Sequence, residues 1–174
     1  VEELRYPIGR YKQAENITAE QRETWIEEMK MIPEMLAQAL EGLTDEQLDT
    51  PYRPGGWTLK QVVHHLCDSH VVNYTRFKCG LTEENPMTAS FNIDGWASLT
   101  DANEAPISVS IQLFSALHHR WYLLLQSLTA DDFSKTFRHP RRGVQRLDEA
   151  LGLYVWHGKH HIAHITSLRK RMGW

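Results

Sequence analysis

Residues 147–172 read LDEALGLYVWHGKHHIAHITSLRKRM, and the spacing of their apolar side chains decides the fold. Ala150, Tyr154, His157, His161, Ile165 and Leu168 step by three or four residues, which puts them on one face of an α-helix. That stripe is apolar at both ends and carries two histidines in its middle. A second stripe, Leu153, Trp156, His160, His164, Ser167 and Arg171, starts apolar and turns polar, as expected of a flank. The segment therefore predicts a long amphipathic helix over Leu147–Met172, stopped by Gly173. Two histidine pairs lie four apart in it, His157/His161 and His160/His164, and either spacing can aim two imidazoles at one metal ion. Periodicity favours His157/His161 as the inward pair.

Working back along the chain, three helix starts match the capping-box pattern: Thr18-Ala-Glu-Gln21, Thr44-Asp-Glu-Gln47 and Thr58-Leu-Lys-Gln61. The first opens a helix with Trp25, Ile26, Met29, Ile32, Leu36 and Leu40 at helical spacing, ending near Gly42; Pro33 within it predicts a bend or a break. The second opens only a short turn before the loop TPYRPGGW. The third opens a second long helix from Thr58 to about Gly80, and a third long helix is expected from about Ser108 to Leu128. Residues 81–105, LTEENPMTASFNIDGWASLTDANEA, form a long connection of the kind that is functional or holds a short helix. FSKTFRHPRRGVQ, before the last helix, reads as extended or a small hairpin. The expected fold is all-α, a four-helix bundle with a long loop between helices two and three, in a single domain over residues 1–174.

The 174 residues suffice for a core without staples, and 41% hydrophobic with 24% charged side chains is the balance of a globular domain. A net charge of −3, with no basic stripe, argues against nucleic acid as a partner. No apolar run is long enough for a membrane span, and VEELRYPIG lacks signal-peptide order, so a cytoplasmic protein is expected. Cys67 and Cys79 fall twelve positions apart on one helix. At about 18 Å of axial rise no disulfide joins them. Histidine, with ten copies, is the abundant ligand type.

A mononuclear site needs a third ligand from another helix. His64, His65 and His70 lie near the apolar side of helix two, and His118 and His119 sit on helix three; residue type alone leaves all of these open. His139, before Pro140 in a basic loop, reads as exposed. Asp68 is a candidate orienting carboxylate or general base, with a solvated helix carboxylate as the plainer reading. Trp96, in the long loop, is the aromatic expected to cover a pocket.

TPYRPGGW, then TLKQVVHHLCDSH, then ALGLYVWHGKHHIAHI together resemble the DinB superfamily and within it the YfiT-like branch, over nearly the whole chain. The resemblance implies a four-helix bundle whose zinc or nickel ion is held by three histidines. Matched motif by motif, these are His65, before the leucine of the helix-two HL pair, and His157 with His161, one divalent ion per chain. Three neutral imidazoles leave coordination positions open, the pattern of a catalytic rather than a structural site. The resemblance further implies a metal-dependent hydrolase, or a thiol S-transferase of the bacillithiol type acting with a low-molecular-weight thiol and a small-molecule substrate, and a homodimer. A reading of another class is a non-catalytic metal-binding stress protein. His160 and His164 then become neighbours of the site.

Overall fold

In the computed structural model, which describes residues 2–174, the chain forms nine helices and one hairpin among the described residues. They are α1 (Glu2–Arg5), α2 (Ala19–Leu40), α3 (Asp45–Leu48), α4 (Leu59–Thr82), α5 (Ile93–Ala97), α6 (Thr100–Glu104), α7 (Ile107–Gln126), α8 (Ala130–Ser134), β1 (Thr136–His139), β2 (Gly143–Arg146) and α9 (Leu147–Met172). The four long helices α2, α4, α7 and α9 make the expected bundle, α2 and α4 each packing against both α7 and α9. Their inward faces bury Ile32, Leu36, Leu66, Phe77, Trp121 and Leu151 in one core. No helix among the described residues is long and apolar enough to cross a membrane.

The caps form as their residue types require. Thr44 and Thr58 each accept the backbone N–H three residues on, while Gln47 and Gln61 reach back to the cap N–H at 2.9 and 3.0 Å. At Thr18 only the forward bond to the Gln21 N–H is present. The left-handed Gly173, at φ +72°, ends α9. Arg169, one turn earlier, caps α2 by donating to the carbonyls of Ala39 and Glu41 at 2.7 and 2.9 Å.

Two features of α2 differ from expectation or sharpen it. Pro33 does not break the helix, which runs unbroken from Ala19 to Leu40. Its missing N–H instead leaves the carbonyl four residues back, that of Met29, without its helical partner. The helix also approaches α9 closely. A Cβ on Gly158 would lie 3.0 Å from Ile32 Cδ1, and one on Gly152 would lie 2.7 Å from the Trp25 ring. Those glycines set how near the histidine-bearing helix comes to α2.

The long connection 81–105 contains α5 and α6, so it is less irregular than its sequence suggests. Its first part lies along the hairpin: the Thr88 N–H donates to the Arg138 carbonyl at 2.9 Å and the Arg138 N–H to the Pro86 carbonyl at 2.8 Å. The segment before α9 is the hairpin β1–β2, antiparallel with His139 opposite Gly143. Cys67 and Cys79 are both free, on α4.

Candidate metal centre

α4 and α9 face each other in the bundle, and their stripes bring His65, His157 and His161 together. One ring nitrogen from each lies within 4.8 Å of the others. His161 Nε2 is 3.1 Å from His157 Nε2, and the His65 ring centroid is 4.7 Å from that of His161. Trp57 backs the His65 ring at 4.7 Å, and the Ser69 hydroxyl touches its edge at 3.3 Å. His160, His161 and His164 form a second group at similar spacing. The choice between the two groups follows from where their protons are.

Burial holds His157 and His161 well below the ordinary imidazole range, neighbouring imidazoles adding to it, and pushes His65 down to about 4. All three are therefore neutral, each with one N–H and one lone pair. From here hydrogen-bond partners decide which nitrogen carries the proton.

On one side the chain of partners starts at the freed Met29 carbonyl, which can only accept. His118 Nδ1–H donates to it at 2.8 Å. His118 Nε2 is then an acceptor, taking the Nδ1–H of His70 at 2.9 Å. His70 Nε2 accepts in turn from His157 Nδ1–H at a longer 3.4 Å. The lone pair of His157 is left on Nε2. On the other side the Arg5 carbonyl, at the end of α1, accepts the His164 Nε2–H at 2.9 Å. His164 Nδ1 accepts from His161 Nδ1–H at 3.3 Å, leaving the lone pair of His161 on Nε2 as well.

The two Nε2 atoms, 3.1 Å apart, thus point lone pairs at each other with no proton between them. A cation resolves that repulsion. With metal–nitrogen bonds of about 2.0–2.1 Å, two ligands at a tetrahedral angle stand about 3.3 Å apart, so the spacing suits an ion such as zinc. The residues therefore fit the implied metal. The second group fits less well, because both nitrogens of His164 are used in the chain from Arg5.

The other candidates fall elsewhere. His64 uses both nitrogens on the far side of α4: Nε2–H donates to the Ala105 carbonyl at 2.9 Å and Nδ1 accepts from Ser110 Oγ at 2.7 Å. His70 and His118 are buried links of the imidazole chain rather than ligands. His119 is exposed. Asp68 is partly buried with Asp101 as its charged neighbour, and burial raises its carboxyl to about 6; it makes no hydrogen bond to the three histidines.

Three expectations need correction. His160 and His164 do not lie on a polar flank but are 7% and 3% exposed, because Tyr6 packs on His160 and Tyr52 on His164, covering that side of α9. His139 is partly buried, because the hairpin folds it back over α4. Trp96 packs on Phe91, is 38% exposed and does not line the cavity beside the histidines; Phe91 and Ile93 of the same segment do.

That cavity, of about 180 Å³, lies against the site: His157 and Ser69 line it together with hairpin residues Phe137, His139 and Gln145 and with Ser90, Phe91 and Ile93. The sequence reading missed Arg76, Arg141 and Arg142, which also line it. The RHPRR cluster was a visible signal, but a turn rich in arginine ordinarily points to solvent.

Known proteins share this sequence and this fold. The model of the DinB superfamily matches residues 28–165, a span that holds all three histidines. A protein of Bacillus cereus (strain 03BB102) named "Putative metal-dependent hydrolase" is 51% identical over 172 residues, 99% of each chain. One of Bacillus thuringiensis subsp. konkukian (strain 97-27) with the same designation is equally similar. Among solved structures, that described as "YfiT from Bacillus subtilis is a probable metal-dependent hydrolase with an unusual four-helix bundle topology" superposes with a TM-score of 0.96 at 51% identity, covering 99% of both chains.

Proposed function

Because the chain belongs to the DinB superfamily, we propose that it is a metal-dependent enzyme in which His65, His157 and His161 hold one divalent ion, zinc or nickel, for hydrolysis of a small molecule. The observation that carries this reading is the pair of Nε2 lone pairs facing each other at 3.1 Å beside a third imidazole. Such an ion, with positions left open, acts as a Lewis acid and lowers the pKa of a bound water or thiol towards neutrality. The names of the relatives support the hydrolytic choice.

The chain's own residues do the rest. His70 and His118 orient His157, and His164 orients His161, so that these two imidazoles present Nε2 before any ion binds. His160 stacks on Trp156 with rings 4.6 Å apart and keeps Nδ1 buried without a partner. Burial holds its pKa at about 4, so it stays neutral beside the three histidines. The cavity walls Phe91, Phe137 and Trp156 limit water around the reacting group.

A second reading, thiol S-transfer, is favoured by one observation: no carboxylate lines the cavity, and a thiol held as thiolate needs no general base. The reading also includes a homodimer, supported by Val109, Leu113 and Leu123, which are exposed along one side of α7. Zinc-loaded and chelated protein, assayed with ester and amide substrates and in parallel with bacillithiol and a chromogenic electrophile, tests the chemistry. Metal-dependent ester or amide turnover is the expected result. Turnover only with the thiol would replace hydrolysis by transfer, and none in either arm would favour the non-catalytic metal-binding protein.

A further inference from the structure

Three guanidinium groups line the cavity beside His157, and none has a carboxylate partner among the described residues. Arg76, on α4, is 7% exposed. Its Nε and Nη2 donate to the Ala89 carbonyl at 3.3 and 2.7 Å, and Nη1 donates to Asn73 Oδ1 at 3.1 Å. A guanidinium has five N–H groups, so one on each terminal nitrogen remains, and the Tyr154 hydroxyl stands beside them as a neutral partner. A buried cation without a counter-charge is costly.

Arg141 and Arg142 come from the turn between β1 and β2. Their backbone N–H groups donate to His139 Nδ1 at 3.1 and 3.2 Å, which puts the ring proton on Nε2 as a further donor. Burial, then Arg76, Arg142 and Arg141, hold that imidazole down at about 4, so it is neutral. The lining holds no aspartate or glutamate, while Phe91, Ile93, Phe137 and Leu153 supply apolar wall. Donors and positive charge are thus in surplus at one part of a largely apolar cavity.

We propose that this cavity binds a small organic acid, its anionic head on Arg76, Arg141 and Arg142 and its apolar body reaching towards His157. An anion would take an Arg76 N–H not held by Tyr154 and supply the missing counter-charge, the pairing for which guanidinium is suited. A neutral molecule of the same shape would leave those cations uncompensated. At about 180 Å³ the cavity matches a body of one aromatic ring plus its head group, since a void of about 150 Å³ takes benzene. This inference rests on the proposed metal centre for where the reacting group lies; the acid site itself stands on the guanidiniums.

Calorimetric titration of metal-free and zinc-loaded protein with phenylacetate, phenylphosphonate and neutral phenylacetamide tests it. At least one acid should bind about tenfold or more tighter than the amide in both forms, less so as salt is raised; the tighter acid identifies the head group. Replacing both exposed arginines, Arg141→Ala with Arg142→Ala, should remove most of that preference, weakening acid binding far more than amide binding. Equal affinity for acid and amide overturns the proposal. So does an acid preference that survives the double substitution and disappears on chelation, because the anion would then sit on the ion alone. Failure to take up zinc would overturn the metal centre and leave the acid preference of the metal-free protein standing.

Discussion

The Met29 carbonyl accepts the Nδ1–H of His118 at 2.8 Å. It is free to do so because Pro33, four residues on, has no N–H to offer it. From that carbonyl the protons of three successive imidazoles are assigned, ending with a bare Nε2 on His157. A proline in the interior of α2 thus bears, through α7 and α4, on the tautomer of His157 on α9.

If the chain of imidazoles orients His157, His118→Phe should weaken metal binding by about 10–100-fold, the usual cost of losing an orienting partner. His118→Gln should recover most of it, because an amide can donate to Met29 and accept from His70. Competition with a chromophoric chelator gives the affinities. Nitrogen-15 spectra of the metal-free protein should show His157 protonated on Nδ1 in the wild type and the Gln variant, and a mixture of tautomers in the Phe variant. Wild-type affinity in His118→Phe would remove the chain from the account.

Pro33→Ala makes a sharper demand, since its two effects run in opposite directions. The helix regains an N–H for Met29 and loses a residue that costs up to about 3 kcal/mol in a helix interior, so thermal stability should rise. The carbonyl is then shared, the His118 contact lengthens, and metal affinity should fall by up to about tenfold. A variant that gains stability and keeps full affinity would show that His118 does not depend on the proline.

Acid should destabilise the metal-free protein well above the carboxylate range. Burial lowers the pKa of eight histidines, among them His65, His118, His139 and His160 to about 4. Each therefore binds a proton in the unfolded chain, near 6.5, before it does in the folded one. Their contribution is present above about pH 6.5 and lost as pH falls towards 4. Asp68, raised to about 6, acts in the opposite sense over the same window, but it is one group against eight. Urea midpoints should be level from pH 8 to 7 and fall steeply from pH 6.5 to 4. A midpoint that holds or rises on acidification contradicts buried neutral histidines.

The bundle was legible because its helices announce both ends and one face: Thr44 and Thr58 with their glutamines, Gly173 at the stop, and the Ala150–Leu168 stripe. The inward register of His157 and His161 came from the same stripe. What escaped is what a distant segment decides. His160 and His164 look like flank residues until Tyr6 and Tyr52 cover them, and His139 looks exposed until the hairpin folds back. Pro33 was visible as an irregularity, but nothing local says that His118, 85 positions further on, would use the carbonyl it frees. Arg76 reads as an ordinary helix cation until Ala89 and Asn73 draw it into the cavity wall.

The central claim is that one ion sits on His65, His157 and His161, and metal titration of five single alanine variants tests it most directly. Removing His65, His157 or His161 deletes a ligand nitrogen, and affinity should collapse in each. His160→Ala should cost little, and His164→Ala about 10–100-fold through loss of the partner that orients His161. His157 and His160 are three residues apart, about 300° around the helix, so they do not share one direction. An ion lost from His160→Ala and retained in His157→Ala or His65→Ala would place it in the group of His160, His161 and His164 and contradict the account.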